Sequence, residues 1–184
     1  MKFIVVVSLL LALTLAQNYP VWAVRFQQEF VESYTTSSIH SAGKLWFDSE
    51  RAMERLDRND GRIDPICGPL SKKATTPCTQ LVRDAKRWII FPLLRQCCYC
   101  CDAAHGFGVM RRDWLKNAEF KGKETILGQD FNHWAVDEAE TDFWETVDGK
   151  HTPRRIMEDK LLIKDLIMNT YSEEYIAASV FDLP

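Results

Sequence analysis

Apolar and polar residues alternate with a period of two in the first third of the chain. In residues 24–34, apolar side chains including Phe26 and Phe30 alternate with charged and amide side chains. This spacing predicts a half-buried strand, because successive side chains of a strand point to opposite faces. Residues 43–48 predict a second, aromatic strand. Residues 49–56 continue the pattern less clearly and remain open between strand and helix.

The C-terminal half predicts two successive β-hairpins. The four apolar-rich segments are residues 120–127, 131–136, 142–147 and 151–157. The first two flank Gly128-Gln129-Asp130 and the last two flank Asp148-Gly149. Asp-Gly between apolar segments is typical of a tight hairpin turn, because both residues tolerate a positive φ.

Other segments complete a sheet of seven or eight predicted strands with a few helical pieces. Residues 87–94 form an apolar segment interrupted by Pro92, which predicts a strand that ends there or lies at an edge. Residues 161–168 supply a last strand, and Ser172 predicts a helix cap for residues 172–180. Asp113 is a candidate cap for a helical turn at residues 114–116. An antiparallel sheet with accessory helices accounts for this order.

The N-terminus has the layout of a secretory signal peptide. Lys2 is followed by a mainly apolar run, and small residues precede a predicted cleavage site after Ala16. We expect a signal peptide at residues 1–16 and a single domain at residues 17–184. An uncleaved signal anchor and a short buried N-terminal helix are the alternatives.

Charge and hydropathy argue against a nucleic-acid partner and against a membrane span. The 184 residues have a formal net charge of −3, which disfavours nucleic acid. No later apolar run approaches the roughly 20 residues needed to cross a bilayer, so we expect no membrane span in the mature chain. The predicted location is outside the cell or in the lumen of the secretory pathway.

The six cysteines predict a disulfide framework. They are Cys67, Cys78, Cys97, Cys98, Cys100 and Cys101. An even count after an export signal favours disulfides, and the residues between Cys67 and Cys78 read as a loop. We expect Cys67 and Cys78 each to join one member of the 97–101 cluster, with the other two cluster cysteines paired, because sequence neighbours seldom bridge each other. The two Cys-x-x-Cys spacings in the cluster leave a zinc or redox site, with His105 nearby, as the alternative.

The order of features resembles the half-barrel proteins of the LolA and ependymin type. The resemblance rests on the strands at residues 24–34 and 43–48, the hairpin at residues 143–155 and the ending at residues 179–184. The chain also resembles small cysteine-rich secreted proteins of single-celled eukaryotes. The resemblance implies a mainly β (α+β) fold, a curved antiparallel sheet or half-barrel with a few short helices, and non-catalytic binding of a lipid or other apolar ligand.

Six aromatic residues in predicted strands are the candidate ligand-binding residues. They are Trp46, Phe47, Trp88, Phe91, Trp134 and Phe143. Core packing against a sheet is the commoner reason for large aromatic side chains, and the sequence does not separate core-facing from cavity-facing ones. The hypothesis is that these six contribute to one apolar cavity, since ligand sites are mainly hydrophobic with a few polar groups.

We expect no catalytic activity, cofactor or metal. The chain lacks a nucleophile elbow, a zinc-binding His-Glu-x-x-His helix, a phosphate loop and a dinucleotide-binding turn. A cysteine nucleophile would need a free thiol. The predicted function is therefore a secreted binding protein for an apolar small molecule or lipid. The alternatives are a structural or interaction subunit with protein partners in an extracellular, lumenal or organellar assembly, and a thiol oxidoreductase using the cysteine cluster.

Overall fold

The computed structural model describes residues 19–70 and 75–184, which form one antiparallel sheet of eleven strands. The predicted signal peptide at residues 1–16 lies outside the described residues. The strands are β1 (Arg25–Tyr34), β2 (His40–Asp48), β3 (Met53–Arg58), β4 (Cys78–Arg83), β5 (Lys86–Phe91), β6 (Gln96–Asp102), β7 (Glu119–Ile126), β8 (Gln129–Val136), β9 (Thr141–Thr146), β10 (Pro153–Glu158) and β11 (Leu162–Leu166).

Consecutive strands are neighbours almost everywhere in this sheet. The spatial order is β6-β5-β4-β3-β2-β1-β11-β10-β9-β8-β7. Strands β1 to β6 form one meander and strands β7 to β11 form a second. The pairing of β1 with β11, in which Phe30 lies opposite Leu166, joins the two meanders. Within the described residues, β6 and β7 are the two edges of the sheet, so the sheet is open.

The sheet curls around one face, which we call the concave face. Phe47 in β2 and Phe143 in β9 are four strands apart, yet the Trp22 ring lies 5.4 Å from the first and 6.4 Å from the second, centroid to centroid. A flat sheet would hold these strands about 19 Å apart. Strong curvature is therefore needed, and it confirms the half-barrel fold class.

The two predicted hairpins are confirmed. β7 and β8 meet at Leu127 and Gly128, and β9 and β10 are joined through Gly149. Gly128 has a φ of 81° and Gly149 a φ of 78°, the left-handed conformation that glycine adopts without steric cost. β5 ends at Phe91, before Pro92, as the proline predicted.

Several local predictions were wrong. The sheet has eleven strands rather than seven or eight. Strand β4 begins at Cys78, which was interpreted as the end of a loop, and strand β6 contains the cysteine cluster, which was not predicted to be a strand. The segment left open between strand and helix is resolved in favour of a strand, since Met53–Arg58 form β3. The predicted helix at residues 172–180 does not form: the segment is irregular and ends in the 3-10 turn Ala178–Phe181. Residues 112–117, including the predicted helical turn at 114–116, are a run of turns.

Helical structure among the described residues is limited to short pieces. The α-helix α1 covers Cys67–Leu70, and the other helical pieces are 3-10 turns of three or four residues. No helix in this part of the chain has the length and apolar character required to cross a bilayer.

Both faces of the sheet are covered. The concave face carries the largest core cluster, which includes Trp22, Phe26, Phe47, Trp134 and Phe143. On the opposite, convex face, the C-terminal segment inserts its buried side chains against β4 and β5. That cluster contains Leu81, Ile90, Ile176 and Phe181.

Candidate functional site

The aromatic side chains on the concave face form one continuous cluster. Trp22 contacts Phe26 and Phe47 edge-on, at centroid distances of 5.2 and 5.4 Å. Trp114 contacts Trp22 at 5.8 Å and Phe143 at 5.6 Å. The contacts extend from β1 and β2 to β9, so residues from both halves of the sheet share one core. We call this the concave aromatic cluster.

The segment between the two edge strands, residues 103–118, crosses the concave face. We call it the covering segment. Leu115 is fully buried and Trp114 packs beside it in the concave aromatic cluster. The segment is fixed to the chain start by two hydrogen bonds: Trp22 N–H donates to the Arg112 carbonyl at 3.0 Å, and Arg112 Nε donates to the Trp22 carbonyl at 2.7 Å. It therefore closes the concave face over the aromatic core.

A cleft remains where the covering segment passes the ends of β3, β4 and β5. Its volume is about 560 Å³. The lining residues are Ala52, Glu54, Val82, Ala85, Arg87, Ala103, Gly106, Gly108, Val109 and Met110. We call it the rim cleft. Its volume is in the range of small-molecule sites, about 300–1,000 Å³. Most of the lining side chains are small or apolar, and two are charged.

Those two charged groups, Glu54 and Arg87, face each other with 3.9 Å between a carboxylate oxygen and Nη2. Burial raises the pKa of the Glu54 carboxyl above its usual value, although Arg87 and the donating Met110 backbone N–H both oppose the shift. Arg87 also donates to the Gln80 side chain and, at 3.2 Å each, to the carbonyls of Phe107 and Gly108. The guanidinium thus links β5 to the covering segment.

A buried ionic network lies next to this pair on the concave face. Arg58 contacts Glu32 at 2.7 Å and Asp64 at 3.0 Å, and Lys164 contacts Glu32 at 3.2 Å. Gln80 joins the network to Arg87, since its Nε2 donates to Asp64 at 2.6 Å. Desolvation would raise the pKa of Glu32, yet Lys164 and Arg58 together hold it below its usual value. One end of the concave face is therefore polar and charged.

The structure brings three of the six predicted ligand-binding residues together. Phe47, Trp134 and Phe143 are buried in the concave aromatic cluster. Trp46 and Trp88 pack in the convex cluster with Leu81 and Phe181, on the other side of the sheet. Phe91 packs in a third cluster, with Cys67, Cys78 and Ile89. The six do not line one cavity, because adjacent strand residues such as Trp46 and Phe47 point to opposite faces.

The rim cleft residues were not predicted from the sequence. A signal was present in β3, where Glu54, Leu56 and Arg58 occupy alternate positions on one face. Charged residues at inward positions of a strand usually have buried partners or a function, because burying an unpaired charge is costly. The partners come from strands and loops far along the chain, which one sequence does not reveal.

The predicted disulfide connectivity was wrong. Cys67 is bonded to Cys78, which closes the loop that these two cysteines bound. Within the cluster, Cys100 is bonded to its neighbour Cys101, and Cys97 and Cys98 are free thiols on the exposed strand β6. Within residues 19–70 and 75–184, no group of three or more His, Cys, Asp and Glu side chains is placed to hold a metal ion.

The chain is similar to known proteins in its fold and not in its sequence. No protein-family model and no curated protein sequence matches the chain. The structure is similar to that of an uncharacterized conserved protein from Thermus thermophilus, with a TM-score of 0.55 and 6% sequence identity over 88% of this chain and 86% of that chain. At this identity the likeness shows the fold alone.

Two other solved structures are similar at lower scores. A putative outer membrane lipoprotein-sorting protein domain from Vibrio parahaemolyticus has a TM-score of 0.40 and 8% identity over 86% of this chain and 89% of that chain. A DUF1329 family protein from Desulfovibrio piger has a TM-score of 0.41 and 10% identity over 87% of this chain and 90% of that chain.

Proposed function

We propose that this protein is an exported, non-catalytic binding protein for an amphiphilic small molecule such as a lipid, and that the ligand binds in the rim cleft. The observation that supports the proposal is the composition of the cleft. Val82, Val109 and Met110 offer apolar contacts, and Glu54 and Arg87 are its charged groups. An apolar wall with a few polar groups is typical of small-molecule sites.

The charged pair favours a ligand whose head group is acidic or accepts hydrogen bonds. Arg87 is held in place by Gln80 and by two carbonyls of the covering segment, so its guanidinium is preorganised. A carboxylate head group would add a charge-assisted hydrogen bond to this cation. Because burial raises the pKa of Glu54, the repulsion between this carboxyl and an acidic ligand is relieved at a higher pH than it would be for a solvated carboxyl.

The test is titration of the protein with a fluorescent fatty-acid analogue, followed by competition with an unlabelled fatty acid and its methyl ester. We expect saturable binding and weaker competition by the ester, which cannot supply a carboxylate. Ala103→Phe, at the exposed wall of the cleft, is expected to weaken binding about tenfold by occupying the space.

Ala139→Phe is the matched control. Ala139 is also exposed and also lies in a 3-10 turn, Asp137–Ala139, outside the rim cleft. This variant should bind the probe like the unchanged protein. The proposal would be contradicted if the unchanged protein did not bind the probe, or if Ala103→Phe and Ala139→Phe bound it equally well.

A second function, as an interaction subunit of a protein assembly, is favoured by a different observation. The exposed side chains of Leu93, Leu94 and Tyr99 lie on or beside edge strand β6. An uncharged, exposed sheet edge invites pairing with another chain. Under this proposal the ligand titration fails and the protein is isolated with a stoichiometric protein partner.

A further inference from the structure

Edge strand β6 has the features of a pairing surface. One side of Gln96–Asp102 is hydrogen-bonded to β5, and the other side has no strand partner among the described residues. Residues 96–101 carry no acidic or basic side chain, and residues 96–100 are exposed. An unpaired row of backbone donors and acceptors is thus accessible.

The opposite edge of the sheet is protected. Strand β7 carries Glu119, Lys121, Lys123 and Glu124. Charged side chains on an edge strand, lysine above all, prevent edge-to-edge association. The contrast between the two edges indicates that β6 is the one suited to a partner strand.

Two thiols on β6 have no partner within the chain. All six cysteines lie in the described residues, and two bonds use Cys67, Cys78, Cys100 and Cys101. Cys97 lies opposite Ile90 and Cys98 opposite Ile89 in the pairing with β5. Because consecutive strand residues point to opposite faces, the two thiols are directed apart. Cys97 and Cys98 therefore do not bond to each other, and a disulfide at either one requires a sulfur atom from elsewhere.

The charges that flank β6 are complementary to those of a second copy in antiparallel orientation. Arg95 precedes the strand and Asp102 ends it. In a two-fold antiparallel pair each residue lies opposite its mirror position about the axis. With the axis at Cys98, Arg95 is three positions to one side and Asp102 four to the other. The β-bulge next to Cys100 adds one residue on that side, which brings the opposite charges together.

We propose that two copies of this chain pair antiparallel through β6 and are joined by a disulfide between the two Cys98 residues. The register centred on Cys98 pairs residues 96–101 of each copy, with Cys100 as the extra residue of the bulge, whereas one centred on Cys97 pairs residues 96–98 alone. The two concave faces are then on the same side of one continuous sheet.

The bond forms by thiol–disulfide exchange with a small-molecule disulfide such as oxidised glutathione. One Cys98 thiolate attacks the glutathione disulfide, which gives a mixed disulfide and releases one glutathione thiolate. The Cys98 thiolate of the second copy then displaces the other glutathione. Two protons and two electrons leave the protein, and one glutathione disulfide becomes two glutathione thiols.

Cys97 is less suited to this reaction. It lines a cleft of about 310 Å³ with Phe91, Pro92 and the C-terminal Pro184. Partial desolvation of the thiol by these neighbours, together with the adjacent Cys98, raises the pKa of Cys97 and lowers its thiolate fraction.

The experiment incubates the protein in a reduced and oxidised glutathione buffer and measures the intact mass without reductant. We expect a covalent dimer from the unchanged protein and from Cys97→Ser, cleaved by dithiothreitol, and monomer from Cys98→Ser. A covalent dimer in Cys98→Ser, which would require Cys97 or the 100–101 pair, overturns the proposal. Glutathione adducts on monomers alone also overturn it.

Charge reversal tests the antiparallel register. Arg95→Asp and Asp102→Arg should each lower the initial rate of dimer formation by roughly fivefold, since like charges then meet in the pair. The double variant should restore the rate. Additive losses in the double variant would show that these residues do not face each other across the two-fold axis.

The outcome is independent of ligand binding. The rim cleft lies beside the turn after β6, whereas the paired edge is the far side of the strand. Cys98→Ser is therefore expected to bind the fatty-acid probe normally, so failure of the dimer and failure of the ligand proposal are distinguishable.

Discussion

Four ionisable side chains meet at the polar end of the concave face: Glu32, Arg58, Asp64 and Lys164. Arg58 is 4% exposed and Glu32 is completely buried, so neither group is hydrated as it is in the unfolded chain. Burial of ions is costly, and it is offset here because each charge has a partner within about 3 Å.

Arg58→Met is expected to lower the free energy of unfolding by about 3–5 kcal/mol, because it leaves Glu32 and Asp64 buried with one cation fewer. Urea denaturation measures the change. The control is Arg62→Met, which removes an exposed guanidinium from its pair with Asp60 and should cost much less, because solvent screens this cation. Equal losses in the two variants would contradict the network's role.

Glu54→Gln tests the partly buried carboxyl of the rim cleft through its pH dependence. Since burial raises the pKa of Glu54 in the folded state above 4.5, the folded state binds this proton more tightly than the unfolded state does. Its unfavourable contribution is present at neutral pH and is relieved as the pH falls through the raised pKa.

The Glu54→Gln variant should therefore be more stable than the unchanged protein at pH 7, by an amount that shrinks as the pH falls toward 4.5. The side-chain amide of the variant keeps an oxygen that accepts from the Met110 backbone N–H. Urea denaturation between these pH values measures the difference. A difference that stays constant with pH would show that Glu54 has the same pKa in both states.

At the scale of elements, hairpins were predictable where the turn residues themselves determine the backbone. Asp148-Gly149 fixed the position of the β9–β10 turn, and Pro92 fixed the end of β5. Strand β6 was missed because four cysteines dominate its composition, and the disulfide reading obscured the strand. Strand β4 was missed because its N-terminus coincides with Cys78, at the end of a Pro- and Gly-containing loop.

The false helix at residues 172–180 has a tertiary cause. Ser172 does accept a hydrogen bond from the Glu174 backbone N–H, as a cap residue would. Its own backbone, however, exchanges two hydrogen bonds with Gln27 of β1, at 2.8 and 3.0 Å. Pairing with β1 and the burial of Ile176 and Phe181 outweigh the local preference for a helix.

The candidate site was less predictable than the fold. To predict that Phe47, Trp134 and Phe143 share one cluster, one must know which face of its strand each side chain occupies and how strongly the sheet curves. To predict the rim cleft, one must also know the path of the covering segment, whose sequence has no regular periodicity. Such placements depend on contacts between residues far apart in sequence, and one chain gives no signal for them.

At the scale of the whole molecule, the C-terminal segment fixes the convex face. Ile176 and Phe181 fill the cluster above Leu81 and Ile90. Three arginines hold its backbone: Arg51 donates to the Ile176 carbonyl and Arg55 to the Val180 carbonyl, each at 2.8 Å, and Arg83 donates to the Phe181 carbonyl at 3.2 Å. The segment thus holds β3 and β4 to the end of the chain.

Phe181→Ala is expected to lower the free energy of unfolding by about 3–5 kcal/mol, since the side chain is fully buried and its loss leaves a cavity. Thermal or urea denaturation measures the loss. Leu183→Ala, two residues on, is the control; its side chain is 38% exposed, and the change should cost about 0.5 kcal/mol or less. Similar losses would mean that Phe181 does not anchor the segment.

The β1–β11 pairing has a consequence for how the chain reaches its native state. All other strand pairs in the sheet form between consecutive strands, so most of their loops are short and closing them costs little entropy. Phe30 and Leu166 must meet across most of the chain's length. Contacts of such separation slow folding. We expect each meander to form while the chain is still open, and the joining of β1 to β11 to limit the folding rate.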